Sequence, residues 1–164
     1  MEFAVEVTVP SIPLTDGSAP GVVHEEMLRA AEVSVALLQG SIVPRVPVDR
    51  GFARQGVQTS VTGEGVDVTG RVFDPVAYAV PLEAGSQPHF PPTDAIAGWV
   101  RRKGIASDER EVRSVAFLIA RAISRRGTRA RNFFRDGVAE AEAKVRARFA
   151  AVPGLILRRL GGGS

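Results

Sequence analysis

From Phe3 to Val9 the chain alternates in character, Phe3-Ala4-Val5-Glu6-Val7-Thr8-Val9, before Pro10 and Pro13 close the run. A period of two puts alternate side chains on one face, so this segment reads as a first strand. After a loop carrying Asp16, Gly17, Ser18, Pro20 and Gly21 the period changes. From Val22 to about Val43, Val23, Met27, Ala30, Ala31, Ser34, Leu37 and Leu38 recur at threes and fours, while Glu25, Glu26, Arg29 and Glu32 fall elsewhere. That is an amphipathic helix with an acidic first turn that suits its dipole. At about 1.5 Å per residue it spans about 30 Å, enough to brace a sheet. Pro44 and Pro47 end it, because proline lacks the amide proton of the helical ladder and drives its predecessor into an extended state.

Gln55 to Val61 and Gly65 to Phe73 return to strand-like patterning, with Val57, Thr59, Val61, Val66, Val68 and Val72 available for one face. Thr62-Gly63-Glu64-Gly65 supplies permissive residues for the hairpin turn between them. A further short strand over Val76 to Leu82 would extend the same sheet. Gly85 to Pro92 is a loop stiffened by three prolines, after which Thr93 can cap a helix from Asp94 to about Lys103 carrying Ile96, Trp99 and Val100. Gly104 stops it. A second helix runs from about Asp108 to Arg125 on Val112, Val115, Ala116, Ile119, Ala120 and Ile123, and Gly127-Thr128 breaks the pattern. The last helix, Asn132 to about Phe149, stripes Phe133, Phe134, Val138, Ala141, Val145 and Phe149. The predicted fold class is α+β: a long N-terminal helix packed on a small antiparallel sheet, with a helical C-terminal half. One domain over residues 1–152 is expected, with 153–164 as a C-terminal tail. Its Gly161-Gly162-Gly163-Ser164 end reads as frayed or as a cloning remnant.

Composition changes this picture little: 164 residues, 45% apolar and 24% charged, are the balance of an ordinary globular chain. No cysteine is present, which removes disulfides, thiolate metal sites and a Cys nucleophile. The longest apolar stretches, such as Val33 to Leu38, stop far short of the roughly 20 residues of a membrane span, so no membrane partner is expected. Met1-Glu2-Phe3-Ala4 lacks the basic and apolar regions of a secretory leader, and synthesis in the cytoplasm is the expectation.

Charge changes it more. Residues 1–100 carry five Lys plus Arg against twelve Asp plus Glu, net −7, and residues 101–164 carry sixteen against six, net +10. Such a polar molecule suits subunits packed acidic flank against basic flank around a ring, or a surface for nucleic acid. Arg121, Arg125, Arg126, Arg129, Arg131 and Arg135 form a dense run across the break between two helices. Pairing with acidic protein surfaces is the first reading of it and non-specific contact with passing DNA the second, because guanidinium groups match phosphate oxygens with paired hydrogen bonds.

Residues that do covalent chemistry are sparse. The two histidines, His24 and His89, stand at no zinc-ligand spacing from a second donor. No Gly-x-Ser-x-Gly elbow occurs, Gly63-Glu64-Gly65 lacks the third glycine of a dinucleotide loop, and the carboxylates are scattered singly. Neither catalysis nor a metal or cofactor is expected.

Several segments, in order, resemble the tail-completion proteins of tailed phages typified by gene product ten of a lambdoid phage. Val46-Pro47-Val48-Asp49-Arg50-Gly51 is similar to that family's Val-Pro-Val-Asp-x-Gly at the exit of its long N-terminal helix. Tyr78-Ala79 followed by Leu82-Glu83-Ala84-Gly85 is similar to a strand ending in Tyr-Ala and then a Glu and a Gly. Pro88-His89-Phe90-Pro91-Pro92 with Trp99-Val100-Arg101-Arg102-Lys103-Gly104 follows, and then Ala116 to Arg121, Ile123 to Thr128 with Gly127, and Asn132-Phe133-Phe134. The matches span about residues 22 to 148; the family often has proline where Asn132 stands, and Met1 to Ala19 has no counterpart. The resemblance implies a non-enzymatic structural protein of the virion neck. It would form a ring, of six copies, joining the head connector or stopper to the tail tube or tail terminator. A tail terminator or a head stopper is the alternative within that class, and a non-specific DNA-binding module the alternative outside it.

Overall fold

The structure, a computed structural model, describes residues 3–8, 20–49 and 51–161. The reading of Pro10, Pro13 and the loop at residues 16–18, and Gly162 to Ser164 of the expected tail, lie outside the described residues. The chain divides into two compact units: residues 1–77 with 133–164, here the sheet unit, and Tyr78–Asn132, here the helical unit. The single domain expected over 1–152 is therefore two units, the second inserted within the first.

In the sheet unit, β1 (Phe3–Thr8) precedes α1 (Pro20–Ile42), a 3-10 turn at Val43–Arg45, and the five-residue α2 (Phe52–Gly56). β2 (Gln58–Glu64) and β3 (Asp67–Asp74) follow, and α6 (Phe133–Ala150) and α7 (Val152–Gly161) complete it. The sheet is antiparallel with order β1-β3-β2, so the last strand in sequence is central. Val5 pairs with Val72, and Val72 with Thr59. α1 packs on the sheet, on α6 and on α7. Its buried face is Val23, Met27, Ala30, Ala31, Ser34, Val35, Leu38 and Ile42, and the Ser34 hydroxyl is satisfied by donating to the Ala30 carbonyl at 2.7 Å. This is the expected α+β architecture with its long N-terminal helix and helical C-terminal half.

Five local expectations are corrected. Val76 to Leu82 is not a fourth strand: Ala79–Ala84 is a short helix, α3, with Pro81 in its first turn, where a missing amide proton costs nothing. Residues 153–161 are not a tail, because Val152–Gly161 is helical and buries Val152 and Ile156 against Val23, Met27 and Val68. Gln55 belongs to α2 rather than to the following strand. α1 begins at Pro20, so Glu25 and Glu26 stand beyond its first turn and gain nothing there from the dipole. Thr93 is the first residue of its helix rather than the cap, a place taken by Pro92, which offers no side-chain bond.

The helical unit holds α3, α4 (Thr93–Arg102) and α5 (Glu109–Arg126). α4 and α5 close on Ala97, Val100, Ala106, Val112 and Ala116, with Ile96, Trp99, Val115 and Ile119 packed around them. Asp108 starts α5 by accepting from the amides of Arg110 and Glu111, both at 3.0 Å. Such a cap satisfies donors that have no partner within the helix.

Candidate functional site

Val46 is 2% exposed and directly follows the 3-10 turn, while Pro47 is half-buried and Val48 and Asp49 are exposed. Gly51, at φ +84°, begins α2 and turns the chain toward the sheet. Tyr78 is 43% exposed and precedes α3 rather than ending a strand. Glu83 is buried in α3, and Trp99 is half-buried against the core of the helical unit. Phe133 and Phe134 are 1% and 3% exposed and open α6, their ring centroids 5.3 Å apart.

The structure brings two of these motif positions together across 42 residues. Ser86 and Thr128 exchange backbone hydrogen bonds at 3.2 and 3.1 Å, and their hydroxyls meet at 2.9 Å. Gly85 and Gly127 flank this bridge at φ +76° and +69°. At Gly127 a Cβ would lie 1.8 Å from the Ser86 carbonyl oxygen, so no other residue fits. The amides of Arg131 and Asn132 donate to the carbonyls of Leu82 and Glu83 at 2.9 and 3.1 Å, which holds the chain beyond the bridge. Asn132 takes φ +51°, a left-handed conformation that asparagine tolerates and proline cannot adopt.

Of the arginine run, Arg121, Arg125, Arg126, Arg129 and Arg131 lie exposed in the helical unit, and Arg135 lies in the sheet unit, paired with Asp136 at 2.9 Å. By sequence the helical unit has ten basic and five acidic side chains, net +5, and the sheet unit eleven and thirteen, net −2. Five acidic residues of the sheet unit are matched within it, Asp136 among them. Arg159 donates to Glu26 at 2.9 Å and to Glu25 at 2.8 Å, and its guanidinium holds the Glu25 carboxyl below the usual range. Arg45 pairs with Glu140, and Arg146 with Glu142. In the helical unit Arg101 grips Glu109 with two hydrogen bonds, which lowers the Glu109 carboxyl and raises the guanidinium.

Sequence reasoning did not find three features. Glu26, read as a solvated charge, is 4% exposed and tied to α7 by a partner 133 positions away. An open groove of about 460 Å³ runs beside α1, lined in part by Ala36, Gly40, Pro44 and Val57. Its walls are tied by Gln39 donating to the Val57 carbonyl and Arg54 donating to those of Val43 and Pro44. Phe90 and Phe117 lie 6.3 Å apart and are 56% and 51% exposed, beside Leu118 at 57%. Their apolar character was visible in the sequence, but which helix face lacked a partner was not.

His24 contacts the Gly65 carbonyl at 2.8 Å and His89 that of Gln87 at 2.9 Å, both local structural bonds. Among the described residues no group of three His, Asp or Glu side chains is arranged to hold a metal ion, and no helix is long and apolar enough to cross a membrane. Comparison with protein-family models, curated proteins and solved structures found no match.

Proposed function

We propose that this chain is a structural subunit of a tailed-phage neck, a tail-completion protein closing into a ring of six between the head connector and the tail tube. The observation that carries the reading is where the resembling residues stand. Val46, Glu83, Phe133 and Phe134 are buried, and Gly51, Gly85 and Gly127 take positive φ. Residues so placed constrain the backbone path more than the surface, which supports reading the resemblance as one of fold; Tyr78, which precedes a helix rather than ending a strand, departs from it.

A closed ring requires each subunit to bury one flank against a different flank of the next. Exposed apolar side chains are present on both units for such contacts: Val33, Val48 and Phe52 on the sheet unit, and Phe90, Ile105, Phe117 and Leu118 on the helical unit. Burial of these apolar side chains would supply much of the subunit contact, because exposed ion pairs contribute little each. A tail terminator or head stopper would use the same surfaces at another axial level.

The test is compositional and genetic. Purified virions should contain the chain at the head-to-tail joint, and its loss should leave filled heads and tails unjoined. Fully infectious particles without this polypeptide, or turnover of a substrate by the isolated chain, would remove the proposal.

A further inference from the structure

We infer that the arginine run of the helical unit binds the phosphodiester backbone of duplex nucleic acid without reading its sequence, an activity beyond the neck reading and independent of ring closure. From Val112 to Arg135 the chain has seven arginines and no Asp or Glu. Five of them, Arg121, Arg125, Arg126, Arg129 and Arg131, fall within eleven residues of the helical unit. All five are exposed, and none has an ion pair or side-chain hydrogen bond among the described residues. By contrast Arg45, Arg101, Arg146 and Arg159 each hold a carboxylate. Like charges this dense repel one another, and a bound polyanion relieves that repulsion while releasing its own counterions.

Two observations favour phosphate over the acidic surface of a second copy. Among described acidic residues of the sheet unit, Glu25, Glu26, Asp136, Glu140 and Glu142 are ion-paired and Asp74 is buried, while the exposed Glu6, Glu32, Glu64 and Asp67 are spread along the sequence. Nowhere in the chain do more than three Asp or Glu fall within eleven residues, so a second copy offers no acidic run to match five guanidinium groups in that length. Second, the residues set among the arginines are mostly small, Ala122, Ser124, Gly127, Thr128 and Ala130 with the half-buried Ile123, which permits close approach of a phosphate backbone. Arg121 and Arg125 lie one turn apart on α5. Arg129 and Arg131 follow Gly127 on a backbone fixed by the Ser86 bridge and the bond to Leu82. No aromatic ring stands within the run from Arg121 to Arg131, and the exposed Phe117, one turn before Arg121 on α5, lies against Phe90 at the edge of the run, so the arginines themselves suit a duplex backbone rather than the stacked bases of a single strand.

The experiment is duplex binding by the full chain, measured by fluorescence anisotropy with a labelled random-sequence duplex across a salt series. Five phosphate contacts give a slope of log K against log salt of about −4.5, a loss of roughly 500-fold between 50 and 200 mM. Replacing Arg125→Gln, Arg126→Gln and Arg129→Gln together should cut the slope to about −1.8 and the loss to roughly 12-fold. A control triple, Lys144→Gln, Arg146→Gln and Arg158→Gln, removes the same net charge from the sheet unit and should leave the slope near that of the parent. No binding at 50 mM salt overturns the inference, as does an equal fall in both triples. Polyglutamate competing as well as duplex per unit charge also overturns it, and assigns the surface to an acidic protein instead. None of these outcomes bears on whether the chain is found in virions.

Discussion

Gly137 and Gly40 both lie inside long helices of the sheet unit, and exchanging each for alanine should move stability in opposite directions. Intrinsic propensity is the same for both: alanine in a helix interior is favoured over glycine by about 1 kcal/mol. Surroundings decide the sign. A Cβ at Gly40 meets nothing within 4 Å, whereas one at Gly137 would lie 2.6 Å from Ile42 Cγ1, 2.9 Å from its Cα and 3.1 Å from its amide nitrogen. Carbon atoms rest at about 3.5–4.0 Å, and two of the three opposing atoms are backbone of α1, so α6 must move off α1 rather than a side chain turn aside. Overpacking costs about 1–3 kcal/mol, and a backbone obstacle puts this site in the upper half. Gly137→Ala should therefore lose about 1–2 kcal/mol net, and Gly40→Ala should gain up to about 1 kcal/mol. For a chain of this size the midpoint falls by roughly 2–8 °C in the first and rises by roughly 2–4 °C in the second. Far-UV circular dichroism follows the helices of both units together. Trp99, the single tryptophan, reports the helical unit separately by fluorescence. If Gly137→Ala proves as stabilising as Gly40→Ala, the close contact of α1 with α6 is wrong.

Three further outcomes follow from individual side chains. Asp74 is 2% exposed, accepts from the Val76 amide, and has one carboxylate oxygen without a partner among the described residues; burial raises its carboxyl above the usual range. The folded protein thus retains a proton that the unfolded chain releases near pH 4, so stability falls as pH climbs from there through the folded value. Asp74→Asn should exceed the parent in urea midpoint at pH 7 and lose that advantage below pH 4, whereas an equal gap at both contradicts the assignment. Arg159→Ala leaves Glu26 with only Arg29, at 3.5 Å, and should lower the stability of the sheet unit with faster amide exchange across Val152–Gly161. Unchanged protection there would show that α7 is held by Val152 and Ile156 alone. Asp108→Ala removes the cap of α5 and should cost about 1 kcal/mol, read by Trp99 fluorescence in denaturant, while Asp108→Asn should retain most of the stability.

The long helix, the hairpin and the three C-terminal helices that carry strong apolar periodicity were legible, because their buried faces repeat in the sequence with the period of the element. The short helices α2 and α3 and the terminal α7 were not. In the last two a proline, Pro81 or Pro153, falls in the first turn of a helix, where its absent amide proton has no partner to lose. Val152, Leu155 and Ile156 already had helical spacing, which Pro153 and Gly154 obscured. At the site, the composition of the arginine run was readable, but its lack of partners was not. Whether an arginine is matched depends on carboxylates brought near by folding, as Glu26 is to Arg159. The division into two units was hidden as well, since no linker composition marks Ala77 or Phe133. The chain passes between the units at a tight turn and at a buried aromatic pair.

The insertion of one unit within the other sets an order of events during translation. Arg45 at the end of α1 waits for Glu140, 95 positions later, and the apolar side of α1 waits equally long for α6. At about 5–20 residues per second the delay is roughly 5 to 20 s. During that interval the helical unit is completed first, and Met27, Leu38 and Ile42 have only the sheet to cover them. The nascent polypeptide is therefore exposed to aggregation and to chaperone capture until Phe133–Ala150 and Val152–Gly161 have left the ribosome.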